Sequence, residues 1–204
     1  MGQFTKLLRL RMERSYNMMT IRRLTRANRH GLTSHFLALD AEDRRLRFGN
    51  PIGNDAVRAY VEHLDFKCGG VFAYVDSRRR IVGVAHIAVT AAAAEIGLSV
   101  LPRGRGKGLG THLFERAAAF ACERGVERIN MHYLAENRAI QHIAVKAGMR
   151  IESHSGESDA YLAVPPECLR QMEREFLLHT EPVDDLFNEP PILHVTEIAA
   201  EAEQ

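Results

Sequence analysis

Cysteine is scarce in this chain: Cys68, Cys122 and Cys168 are the three among 204 residues. Their number is odd and their spacing wide, with no Cys-x-x-Cys pair, so no disulfide framework or thiolate zinc site is legible. They read as reduced, mostly buried cytoplasmic thiols. Long apolar runs are missing too. No segment approaches the roughly twenty residues that cross a bilayer, and Leu7, Leu8 and Leu10 beside cations are too short a centre for a secretory signal. No membrane partner is expected. Net charge is only +1, which gives no general case for nucleic acid. The ten histidines include no His-x-x-x-His pair with a third ligand in view, so no metal is expected.

Cations are also absent from the end of the chain. Nothing after Arg174 is Lys or Arg, while Glu181, Asp184, Asp185, Glu189, Glu197, Glu201 and Glu203 are acidic. The start carries Lys6, Arg9, Arg11, Arg14, Arg22, Arg23, Arg26 and Arg29. Two readings stay open: a pair of solvated termini, or arms that meet a partner or each other across a homodimer. Nucleic-acid binding by the basic start is a third, and it requires affinity that falls steeply with salt.

What is present is the composition of one globular domain with extensions, 46% hydrophobic and 26% charged. We expect a basic extension over 1–18, a domain over 19–164, a helix over 165–180 behind Pro165 and Pro166, and an acidic, flexible tail over 181–204. Within the domain, a short strand is expected at 21–24. Leu32, Phe36 and Leu39 recur at helical spacing, Asp40 and its acidic neighbours restart a helix, and Asn54 or Asp55 caps another. Strands at 71–75 and 81–89 form a tight antiparallel hairpin. The next strand carries Ile96, Leu98 and Val100 on one face and Glu95, Gly97 and Ser99 on the other, and Pro102 ends it. Leu109, Leu113, Ala117 and Ala121 mark a helix closed by Gly125. The alternating strand of Ile129, Met131 and Tyr133 then returns by a right-handed crossover, parallel to the strand of Glu95. Asn137 caps a further helix, and a last hairpin joins 149–154 to 159–164 through residues 155–158.

Chemical meaning concentrates at Gly104, Gly106, Gly108 and Gly110, between a strand end and a helix start. Bare amides at such a junction suit an anion, above all a pyrophosphate. A Walker A loop fails because Lys107 is followed by Gly108, and the dinucleotide fingerprint fails because Leu109 and Thr111 stand where its last glycine belongs. Arg105-x-x-Gly108-x-Gly110 fits another pattern: it resembles the acetyl-CoA loop of the GCN5-related N-acetyltransferase (GNAT) family. Residues 137–148 are similar to that family's second motif, Asn-x-x-Ala-Ile-x-x-Tyr-x-Lys-x-Gly-Phe. Asn137, Lys146 and Gly148 match it, while Ala139 and Ile140 fall one place early.

The resemblance implies an α/β (α+β) fold, a mixed and mostly antiparallel sheet with a parallel fourth and fifth strand, flanked by helices. It implies acetyl-CoA as cosubstrate, held by Arg105, Gly106, Lys107, Gly108, Leu109, Gly110 and Thr111 at the pyrophosphate. Leu98 and Val100 would serve the pantetheine arm with unpaired backbone groups, and Asn137 would bond that arm while capping its helix. The implied activity is transfer of an acetyl group to a primary amine, a protein lysine or a small amine, by direct attack in a ternary complex. Residues 42–48 resemble those of bacterial enzymes that modify protein lysines.

Such an amine has a pKa near 10.4, so freeing it at pH 7 costs roughly 4 kcal/mol. A proton acceptor is needed, and Glu95 is the candidate, acting through water. The thiol leaves more easily, with a pKa of about 8.5. The family's usual acid is the second motif's tyrosine, and here that position is Ala144, so Tyr133, or His132 beside it, is the candidate substitute. Ala144 also favours a second reading, a non-catalytic acyl-CoA-binding sensor.

Overall fold

Among the described residues, alternating apolar positions build a seven-stranded sheet, and the apolar stripes of four helices close over its two faces. The computed structural model describes residues 21–164 apart from Ala91. The expected basic extension, the helix at 165–180 and the acidic tail lie outside the described residues. In chain order the elements are β1 (Ile21–Arg23), a 3₁₀ turn (Arg26–Asn28), α1 (Arg29–Leu37), α2 (Ala41–Phe48), α3 (Asn54–His63), β2 (Gly70–Val75), β3 (Ile81–Val89) and β4 (Ala93–Val100). A second 3₁₀ turn (Pro102–Gly104) precedes α4 (Leu109–Glu123), β5 (Arg128–Leu134), α5 (Arg138–Lys146), β6 (Arg150–His154) and β7 (Glu157–Ala163).

Strand order is β1-β2-β3-β4-β5-β7-β6, with every pair antiparallel except β4 and β5. This is the mixed sheet that the sequence implies. The parallel pairing is short: Ala93, Ala94 and Glu95 oppose Arg128, Ile129 and Asn130, and there it stops. Beyond that point β4 stays paired to β3, and β5 to β7 along its whole length, so the two strands part like a fork.

Each face has its own core. Ile96, Leu98, Ile87 and Phe72 pack with the α4 residues Leu113, Phe114 and Ala117 and the α5 residues Ile143 and Ala144. Val71, Ala73 and Val84 pack on the opposite face with Leu32 and Phe36 of α1 and Val57 and Val61 of α3. Helix α2 is polar by comparison and buries none of its residues fully. It is held by its ends: Asp40 accepts from the Asp43 amide at 2.7 Å, Glu42 and Asp43 lie in the first turn, and Gly49 closes it at φ +80°.

Two local expectations are corrected. The cap of α3 is Gly53, not Asn54 or Asp55, and it makes no side-chain cap bond. Asn54 instead accepts from Arg44 Nη1 at 2.8 Å, tying α3 to α2. The last hairpin turns on Ser155 and Gly156 alone, at φ 49° and 89°. Two positive φ values are the signature of the tight turn whose twist matches its strands, so β7 begins at Glu157 rather than at 159.

Candidate active site

The four glycines between β4 and α4 divide into two kinds. Gly106 and Gly108 sit at φ +73° and +74°, which side chains other than glycine's rarely adopt. Gly104 and Gly110 are needed for closeness: an added Cβ would lie 2.6 Å from Val82 Cγ1 or 2.9 Å from Ile143 Cδ1. The turn is therefore drawn tight against β3 and α5. Its backbone bonds run from the Arg105 amide to Pro102 O and resume only at the His112 amide to Gly108 O. The amides of residues 106–111, at the head of α4, find no backbone acceptor among the described residues, as expected where a helix begins.

These amides border a groove of about 540 Å³ between the end of β4, the turn, α2 and α5. Leu98, Val100, Arg105, Gly106, Gly108, Leu109, Gly110, Thr111 and Asn137 all line it. Lys107 is outside that lining, exposed, with Nζ 3.4 Å from Arg103 O. Asn137 caps α5 as expected, Oδ1 accepting from the Ile140 amide at 3.2 Å, and its Nδ2 donates to Leu46 O of α2 at 3.3 Å.

Two details depart from the expected geometry. The Val100 carbonyl is not open, because Arg105 Nε donates to it at 3.0 Å. Nor is the Arg105 charge uncommitted: it forms an ion pair with Asp43 of α2 across the groove. The unpaired edge of β4 is thus the part inward of Val100, where the fork has opened.

Helix α2 walls the groove with residues that sequence reasoning did not single out. It contributes Asp43, Leu46 and Arg47 to the groove, and nothing in two acids followed by a run of arginines shows which of them turns inward. Ser99 lines the groove from β4 and bonds His35 Nε2 at 2.8 Å, while His35 Nδ1 faces Ile81 O at 3.3 Å. Since a carbonyl only accepts, Nδ1 carries the proton and the Ser99 hydroxyl donates to Nε2. Burial holds His35 neutral, with its pKa pushed down to about 4.

Glu95 is exposed at the last parallel pair of the fork. Gly97 and Ser99, on its face of β4, meet Arg47 of α2 and His35 of α1, so Glu95 points to the side of α1 to α3. On the same face of β5, His132 Nδ1 lies 2.8 Å from Asp159 and Nε2 3.6 Å from Glu157. The Asp159 bond, with further help from Glu157 and Glu95, raises the His132 pKa. A second cavity of about 530 Å³ opens on this side, lined by Tyr60, His63, Asp65, His86 and Ala88 among others.

Tyr133 faces the other way, into the α4–α5 core, and lines neither cavity. Its hydroxyl is buried without a hydrogen-bond partner among the described residues. Ser158, a neighbour that tempers the burial-driven rise in the Tyr133 pKa, is outside hydrogen-bonding geometry and pairs with Ser153 Oγ at 2.8 Å instead. Ala144 is fully buried in the same core. Among the described residues no group of three or more His, Cys, Asp or Glu is placed to hold a metal ion.

Solved structures share this architecture. The GNAT domain of PAT from S. lividans superposes at a TM-score of 0.62 with 21% identity, over 72% of this chain and 90% of that one. The putative acetyltransferase yncA of Salmonella typhimurium, solved with its cofactor acetyl-CoA, gives 0.56 at 17% identity over 73% and 95%. Spermidine N-acetyltransferase of Vibrio cholerae, in complex with CoA and spermine, gives 0.56 at 19% over 71% and 95%. No curated protein matches the chain. A forked mixed sheet with a glycine turn at the head of its crossover helix is the architecture of an acetyltransferase. The chain belongs to the acetyltransferase (GNAT) family, whose profile matches residues 35–149, more than half its length.

Proposed function

We propose that this enzyme transfers an acetyl group from acetyl-CoA to a primary amine, a protein lysine or a small amine, by direct attack in a ternary complex. One observation carries the reading: β4 and β5 cease to pair after Glu95 and Asn130, and the strand edge thereby freed runs toward the unpaired amides of the glycine turn. The edge suits the amides of a pantetheine arm, which would lie on it as an added partial strand. Residues 106–111 would hold the pyrophosphate at the helix start, with Arg105 joining once it is released from Asp43. Asn137 keeps one amide proton for the arm beyond the one given to Leu46.

The acceptor approaches from the face of α1 to α3, where Glu95 stands exposed at the fork. Glu95 takes the ammonium proton through water, and the freed nitrogen attacks the thioester carbonyl as the carbon–sulfur bond breaks. Tyr133 is turned into the α4–α5 core and lines neither cavity, so the proton that the attacking nitrogen sheds on forming the amide passes through water to the leaving thiolate. The amine seen with the Vibrio enzyme makes polyamines one acceptor class to test. We place the domain at 19–164 and the protein in the cytoplasm, in keeping with its three widely spaced cysteines.

Equilibrium binding of acetyl-CoA to the wild type and to Arg105→Glu tests the cosubstrate site. A loss of about tenfold or more is expected on reversing a phosphate-facing charge, and unchanged affinity defeats the assignment. Buried Ala144, where the family keeps its tyrosine, supports the sensor reading as a second one. A screen for free-thiol release decides between them, because a sensor turns over no amine.

A further inference from the structure

We propose that Arg47 recognises a carboxylate on the molecule reacting at the inner end of the groove, and that this carboxylate belongs to the acceptor, which makes amino acids the acceptor class. The inference deepens the proposed acetyl transfer and rests on it.

Three arginines on α2 have different fates. Arg44 is spent on the carbonyls of Leu37 and Leu39 and on Asn54. Arg45 pairs with Glu42 and Glu136. Arg47, half-buried in the groove wall, has no carboxylate within 4.0 Å among the described residues. Its Nη2 donates to Tyr60 Oη at 2.9 Å, while its Nε is shut from water with no partner among the described residues. Its guanidinium carbon lies 5.0 Å from the ring centre of Phe48, 5.7 Å from Tyr60 and 5.9 Å from Phe36. Ring faces steady a cation but bring no anion. Tyr60 brings none either, since its hydroxyl lies 3.0 Å from Nδ1 of a neutral His86.

The place is built. An added Cβ at Gly97 would lie 2.6 Å from the Arg47 guanidinium carbon, so the cation rests on bare β4 backbone. A partly dehydrated guanidinium gains most from a planar anion that takes two of its N–H groups. The phosphate end of the groove is elsewhere, at the turn beyond Val100. Glu95 lies two residues from Gly97 on the same face, roughly 7 Å along the strand, and not within ion-pair distance of Arg47 among the described residues. A proton-accepting carboxylate and a carboxylate-accepting guanidinium therefore flank the reacting point. An amino acid, with its ammonium beside its carboxylate, is the complement of that pair.

The test offers the wild-type enzyme acetyl-CoA and matched acceptors: lysine against cadaverine, ornithine against putrescine, and other amino acids against their decarboxylated amines. Thiol release gives kcat/KM, and calorimetry on the CoA-loaded protein gives binding. At least one pair is expected to favour the carboxylate-bearing member by about tenfold or more, as a charged hydrogen-bond pair does. Arg47→Met, checked for folding by circular dichroism, should bring that ratio to within about twofold, and Arg47→Lys should fall between. A preference for succinyl-CoA over acetyl-CoA with none among acceptors would overturn the amino-acid assignment and move the carboxylate to the acyl group. Equal use of all matched amines and both thioesters overturns the role of Arg47 altogether. If CoA itself does not bind the wild type, the acetyl-transfer reading falls, and this inference with it.

Discussion

At Gly97 the absence of a side chain positions a charge. A methyl group there meets the end of a flexible side chain rather than backbone, so Gly97→Ala should displace Arg47 instead of unfolding the sheet. The expected stability change is within about 1 kcal/mol by urea titration, accompanied by loss of whatever acceptor preference Arg47 confers. Asn137 stands at the other extreme, with both ends of its amide engaged. Asn137→Ala should cost about 1–2 kcal/mol, for the α5 cap together with the tie to Leu46, read from the urea midpoint. That Asn137 caps was legible, since the residue type and the helical stripe behind it announce a helix start. The tie to Leu46 was not, because it joins residues separated by 91 positions. The sequence alone also left the Val100 carbonyl open, although its partner is only five positions away. Only the fold brings Arg105 back onto it.

Among elements, the relation of α2 to the glycine turn decides how the groove is entered. Asp43 and Arg105 bridge the two and both line the groove. A pyrophosphate arriving at the turn competes with Asp43 for the guanidinium. Asp43→Asn should therefore tighten CoA binding two- to fivefold, the range of a part-exposed ion pair worth about 0.5–1 kcal/mol. Calorimetry checks it, and the advantage should shrink as salt screens the phosphate–arginine attraction. The strands, the crossover and the helices that bury an apolar stripe were readable because their periodicity is their cause. Helix α2 was readable as a helix, but its inward residues were not, since two acids followed by a run of arginines leave nothing local to state which of them points inward. The α3 cap and the last turn were misplaced by one or more residues, where Asn54 served a neighbouring arginine and Ser155 took a left-handed backbone that composition does not disclose.

For the molecule as a whole, the sheet separates a side where the helices α4 and α5 enclose a dry core from a side where α1 to α3 bury histidines among apolar residues. That second side sets the acid stability. His35 is 2% exposed with a pKa held near 4, and His86 is pushed down to about 4 by burial and by Arg47. In the unfolded chain both titrate near 6.5. Between these values the unfolded state binds more protons than the folded one, so stability must fall as pH drops from about 6.5 toward 4. The loss from His35 alone is on the order of 3 kcal/mol, at 1.36 kcal/mol per pKa unit. His132 works in the opposite sense. Its raised pKa contributes stability that is complete below about 6.5 and disappears as pH rises through its folded value. Urea midpoints measured from pH 4 to 8 should therefore climb steeply through the acid range. In His35→Gln, which has no proton to bind there, the climb should lose the share due to His35, whatever the substitution costs at neutral pH. A slope unchanged by that substitution would mean that His35 is already protonated in the folded state, its Nε2 donating to Ser99 rather than accepting from it.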